Sequence, residues 1–88
     1  MRITKRITAE VEIEVQFPYY SKDNVCHWYK AISETKMVKI YSSNQGYCCL
    51  DLTEFNISAA FEDTNTVITE EEFNDKYNEV LNKINNNL

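Results

Sequence analysis

The residues best equipped for chemistry are few and come in two adjacent pairs, Cys26-His27 and Cys48-Cys49. His27 is the single histidine of the chain. A zinc site needs three or four converging ligands, and the separated cysteine spacing of zinc motifs is absent. Neighbours on an extended strand point to opposite faces, so neither pair presents both members to one ion without a bend. A Cys–His nucleophile pair would need His27 beside Cys48 or Cys49 and a third group to orient the ring, which no spacing here demands. The three thiols therefore read as small hydrophobes. No metal, cofactor or catalytic residue is expected. Vicinal Cys48-Cys49 also suits a disulfide poorly. Glu10, Glu12 and Glu14 recur at strand spacing, and their expected use is a solvated face paired across strands with Lys30 or Lys39. One glycine cannot build a phosphate-cradling loop. The reading is against an enzyme.

The aromatic residues offer more. Trp28, Tyr41 and Tyr47, with Lys30, Lys39 and Ile32 among them, are expected on the outer face of a sheet, and Tyr19 and Tyr20 in the loop before its second strand. An exposed aromatic patch marks an interface. Trp28, Lys30, Lys39, Tyr41, Tyr47, Tyr19 and Tyr20 are thus the expected partner or ligand contacts.

The elements that must position them can be read from periodicity. Ile7, Ala9, Val11, Ile13, Val15 and Phe17 alternate with polar residues, which predicts a half-buried strand over 7–17, stopped by Pro18. Residues 19–24 read as a loop. A second strand is expected over 25–33, with uncharged Val25, His27, Tyr29 and Ala31 toward the core. A third over 37–42 turns Val38 and Ile40 inward. A fourth over 47–53 turns Cys48, Leu50 and Leu52 inward, after a 43–46 turn that uses Gly46. Alternation at Ile57, Ala59 and Phe61 allows a fifth short strand, and 62–66 a loop.

The C-terminal segment is the clearest. Thr69 and Glu72 fit a capping box, Ile68 and Phe73 a hydrophobic staple, and Glu70, Glu71 and Glu72 suit the helix dipole. Phe73, Tyr77, Val80, Leu81, Ile84 and Leu88 form one stripe, predicting a helix over 70–85. A helix of this length is marginal alone, so its stripe must pack on the sheet. The expected fold is α+β: one domain over 1–88, a four- to five-stranded antiparallel meander with one C-terminal helix across one face.

Composition narrows the function. Residues 1–50 carry seven basic and five acidic side chains, net +2; residues 51–88 carry two and nine, net −7. The acidic end disfavours phosphate-backbone binding, so nucleic acid is not an expected partner. The basic N-terminus is followed by alternation with glutamates and not by an apolar signal-peptide core, and no run reaches membrane-spanning length. Three cysteines without an export signal suit a reducing cytoplasm. Abundant Asn, Lys, Ile and Glu reflect AT-rich coding, as in many bacteria and phages. The leading expectation is a small non-enzymatic, phage- or mobile-element-like binding protein. It would act by protein–protein interaction through the exposed sheet face, with itself as a homo-oligomer or with a host defence protein. The alternative is nucleotide sequestration, with Trp28, Tyr41 and Tyr47 stacking a base, Lys30 or Lys39 meeting phosphate, and a pocket formed between subunits.

Overall fold

A computed structural model of the chain describes residues 1–6, 10–43, 47–54 and 57–86. The strands are β1 (Arg2–Arg6), β2 (Glu10–Glu14), β3 (Tyr19–Lys22), β4 (His27–Ala31), β5 (Met37–Ser42), β6 (Cys48–Thr53) and β7 (Thr66–Val67). A 3-10 turn spans Ser58–Phe61, and the helix α1 spans Glu70–Asn86. β6, β5, β4, β3 and β7 form, in that spatial order, one antiparallel five-stranded sheet. α1 packs across one face of it, so the fold is α+β with a meander at its centre. Among the described residues, β1 and β2 pair only with each other, with Ile3 opposite Ile13.

The helix begins as its sequence dictates. Thr69 Oγ1 accepts the Glu72 amide at 3.1 Å, and the Phe73 amide donates to the Thr69 carbonyl at 3.1 Å. Ile68 and Phe73 are buried together with Tyr20, Ile40 and Val80. Val38, Ile40, Cys48 and Leu50 face this cluster, as their alternation predicts.

Four expectations need correction. The strand over 7–17 is instead the second arm of a hairpin: β2 ends at Glu14, and its partner β1 lies upstream in a segment whose polar run hid it. Ile7, Thr8 and Ala9 lie outside the described residues, as does the 44–46 part of the turn with Gly46. The 19–24 loop is largely strand β3. It pairs with β4 on one side and β7 on the other, and Tyr20 and Ser21 are buried on opposite faces, so no polar face announces a strand. Residues 58–61 coil into the 3-10 turn, and the fifth strand is β7 instead. The fourth correction is to the facing of β4. Trp28 points to the helix side and Tyr29 and Ala31 to the other, while Val25 is 80% exposed.

The facing error has a physical cause: this sheet is covered on both faces. Opposite the helix, Tyr29, Ala31 and Met37 are buried with Val15, Ile57, Ala60 and Phe61, which the 3-10 turn and the chain after β2 supply. With both faces apolar, the charge on Lys30 was a poor guide. Its ammonium lies over the Tyr20 ring at 5.7 Å, as a long amphipathic side chain can lie along apolar surface.

Candidate functional site

The turn into β4 brings together Asp23, Cys26 and His27. Asp23 Oδ1 accepts the amides of Val25, Cys26 and His27 at 2.9, 3.0 and 2.9 Å. Short polar side chains favour such turns because they replace a backbone acceptor. Asn24 takes a positive φ of 68° in the same bend, a region Asn tolerates. The second carboxylate oxygen lies 2.8 Å from His27 Nδ1, and Cys26 Sγ lies 3.3 Å from that same nitrogen. The carboxylate only accepts, so Nδ1 carries a hydrogen and gives it to Asp23.

Burial works against the charge of Asp23, but the three amides and the His27 ring overcome it and hold the carboxyl at about 2. Burial and the Asp23 charge push the Cys26 thiol upward. Burial likewise raises the Tyr29 phenol, helped by Asp23, Cys26 and Glu62. His27 stacks on Tyr29 at 6.0 Å between centroids and meets Tyr41 at 5.3 Å.

A nucleophilic triad places the thiol on one ring nitrogen and the carboxylate on the other. Here both press on Nδ1, and the thiol holds its proton more firmly than usual. The cluster does not have the geometry of an activated cysteine. Asp23 does not stand out in the sequence, because residues 19–24 read as a loop. The available signal was Asp-Asn at a turn four residues before the histidine.

The residues singled out from sequence are not brought together. Tyr20 is buried against Phe73, centroids 5.5 Å apart, and Tyr19 packs on Phe61 at 4.9 Å. Trp28 is half-buried beneath Lys76, whose Nζ lies 4.4 Å from the ring centroid. A shallow groove of about 280 Å³ beside it is lined by Trp28, Glu72, Asp75, Lys76 and Glu79. Lys30 covers Tyr20. Lys39 and Tyr41 remain on the face away from the helix, and Tyr47, next to β6, is 70% exposed. Glu14 pairs with the N-terminal ammonium at 3.3 Å and with Arg2 Nε at 3.1 Å, and not with the lysines expected for the glutamate row.

A second feature is the edge of the sheet at β6. The Ser43 amide donates to the Tyr47 carbonyl at 2.8 Å, which fixes the phase of the β5–β6 ladder. Cys49, Asp51 and Thr53 therefore exchange bonds with β5. Cys48, Leu50 and Leu52 turn their amides and carbonyls outward. Among the described residues, no strand pairs with that side. Leu52 is 56% exposed, beside a groove of about 280 Å³ lined by Val38, Leu50, Asp51, Leu52 and Tyr77. All three cysteines are free thiols, with Cys49 exposed. No helix among the described residues is long and apolar enough to cross a membrane.

No family model, curated protein or solved structure matches the chain.

Proposed function

We propose that this chain is a non-enzymatic binding protein that acts by protein–protein interaction, and that the contact runs along the open edge of β6. The observation that supports this reading is an edge strand of six residues with outward backbone groups and apolar side chains. Edge strands are ordinarily blunted by lysine, proline, a bulge or brevity. The opposite edge has such protection, since β7 is two residues long. β6, Cys48-Cys49-Leu50-Asp51-Leu52-Thr53, has no lysine or proline.

The partner this edge fits is a second copy of itself. A two-fold axis at Leu50 makes Leu50 face Leu50 of the other copy, Cys48 face Leu52, and Cys49 face Asp51. No like charges oppose, and the exposed Leu52 of each copy gains an apolar neighbour. An axis at Asp51 would set carboxylate against carboxylate. A phage-type chain could use the same edge on a host protein, but self-complementary register favours the homodimer. The nucleotide alternative loses its stacking platform. Lys76 occupies the Trp28 ring, and Glu72, Asp75 and Glu79 beside it repel phosphate.

Sedimentation or light scattering tests the reading. The chain should dimerise in a concentration-dependent way. Leu52→Lys should weaken the dimer roughly 100-fold, because one substitution removes the leucine from both copies. Since Leu52 is exposed, the monomer should keep its urea midpoint. A wild-type chain that stays monomeric at high protein concentration would sink the proposal.

A further inference from the structure

The turn that opens β4 brings the Asp23 carboxylate and the Cys26 thiol onto one ring nitrogen of His27. A carboxylate oxygen of Asp23, Cys26 Sγ and a ring nitrogen of His27 all lie within 4.8 Å of one another. Oδ2 and Sγ press on the same ring nitrogen, at 2.8 and 3.3 Å. One N–H is well aligned with one acceptor and not with two. Asp23 takes it, which leaves the Cys26 sulfur against a donor already spent. A cation among the three atoms would displace the thiol proton to solvent and shift the ring hydrogen to Nε2, so that each ligand atom gives it a lone pair and the conflict is removed. We propose that Asp23, Cys26 and His27 form a three-ligand site for a divalent cation of the zinc type.

The donor set decides the metal. One thiolate, one imidazole and one carboxylate suit Zn²⁺ or its surrogate Co²⁺, whereas Mg²⁺ and Ca²⁺ want oxygen alone. Three protein ligands leave a fourth tetrahedral position for water.

Two further observations support it. The three amides on Asp23 Oδ1 fix the carboxylate before any ion arrives, which is the outer-shell support ligating carboxylates require. And Cys26 lies in the bend before β4, not in the strand, so the rule that neighbouring residues point apart does not bind the Cys26-His27 pair. The site is also reachable, because the Asp23 and His27 side chains are each about a quarter exposed, at 25% and 28%.

Titration of the reduced, full-length chain with Co²⁺ tests this. One equivalent should produce a thiolate-to-cobalt charge-transfer band, which Zn²⁺ abolishes by displacement. Cys26→Ser should remove the band, whereas Cys48→Ser and Cys49→Ser should leave it. Asp23→Asn keeps an oxygen for the three backbone amides but loses the ligand, so it should weaken binding at least about 10-fold with the fold intact. In the unmutated chain, Zn²⁺ should shift the NMR signals of the His27 ring and Cys26 Cβ. No band at a large excess of cobalt, a band that survives Cys26→Ser, or zinc shifts confined to Cys48 and Cys49 would each overturn the assignment.

Discussion

The two faces of the five-stranded sheet are closed by different means. One lies under α1, seventeen residues long, whose stripe buries Phe73 and Val80 against Tyr20 and Ile40. The other lies under a 3-10 turn of four residues and the chain after β2. A helix satisfies most of its own backbone, so it needs only an apolar stripe and a cap. A four-residue turn cannot, and its carbonyls are pinned by side chains from elsewhere. Ser21 Oγ donates to the Ala60 carbonyl at 2.6 Å, and Asn65 Nδ2 to the Ala59 carbonyl at 2.8 Å. Asn24 Nδ2 donates to the Thr64 carbonyl at 3.2 Å, and Thr66 Oγ1 to Asn24 Oδ1 at 3.0 Å. Buried area closes the first face. The second depends as much on placed polar bonds.

The sharpest way to break this contrast is to remove the same side chain from each face. Phe73 is 2% exposed and Phe61 8% exposed. Phe73→Ala is expected to cost about 3–5 kcal/mol, a large part of the stability of a chain this size. Phe61→Ala should fall at the low end of that range, because a short turn collapses more readily into the space. Urea denaturation measures both, and equal losses would erase the distinction.

Adjacent residues on β3 give a finer test, since Tyr20 faces the helix and Ser21 the turn. Ser21→Ala leaves the buried Ala60 carbonyl without its donor and should destabilise by about 1–3 kcal/mol. The Tyr20 hydroxyl is buried with no hydrogen-bond partner among the described residues. Tyr20→Phe should therefore stabilise the chain, by about 1 kcal/mol. Opposite signs at neighbouring positions, read from urea midpoints, are what the two-face description requires.

The same difference explains which parts of the structure were legible in sequence. α1 announces itself locally: Thr69, Glu72, Ile68 and the 3.6-residue stripe lie within one short segment. β5 and β6 alternate cleanly, and Val38, Ile40, Cys48 and Leu50 meet the helix as expected, whereas Leu52, expected inward, is 56% exposed. The second face depends on pairs far apart in the chain. Nothing near Ser21 predicts Ala60, thirty-nine residues away. With both faces covered, β3 and β4 show no polar side, so strand periodicity puts Trp28 on the wrong face and reads Tyr19-Tyr20 as loop. The Asp23 turn was legible in part. Its residue types signal a turn, but its link to His27 depends on a bend that strand periodicity hides.

That turn gives the contrast a pH signature. In chelator-treated protein, Asp23 has a folded value of about 2 against an ordinary 3.8. A depressed carboxyl contributes stability that is complete above 3.8 and is lost as pH falls from there through about 2. The contribution is about 1–2 kcal/mol once solvent screening at this partly exposed turn is counted. Acid titration of the urea midpoint should show the loss in that window, with a smaller slope in Asp23→Asn. Equal slopes in the two proteins would mean the turn adds nothing electrostatic to its face.

The smallest expected effect tests whether the helix face needs any polar bond of its own. The Thr69 hydroxyl serves one otherwise unpaired amide of the first turn, that of Glu72. Thr69→Ala should cost about 1 kcal/mol, and Thr69→Ser should recover most of it, because serine caps as well. The loss should be local. Amide exchange should quicken in the first turn, at Glu70–Glu72, while the amides of β4 and β5 keep their protection, since Phe73 and Val80 still anchor α1. If exchange quickens equally across the sheet, the cap is coupled to the whole fold, and the helix face rests on a placed polar bond as the turn face does.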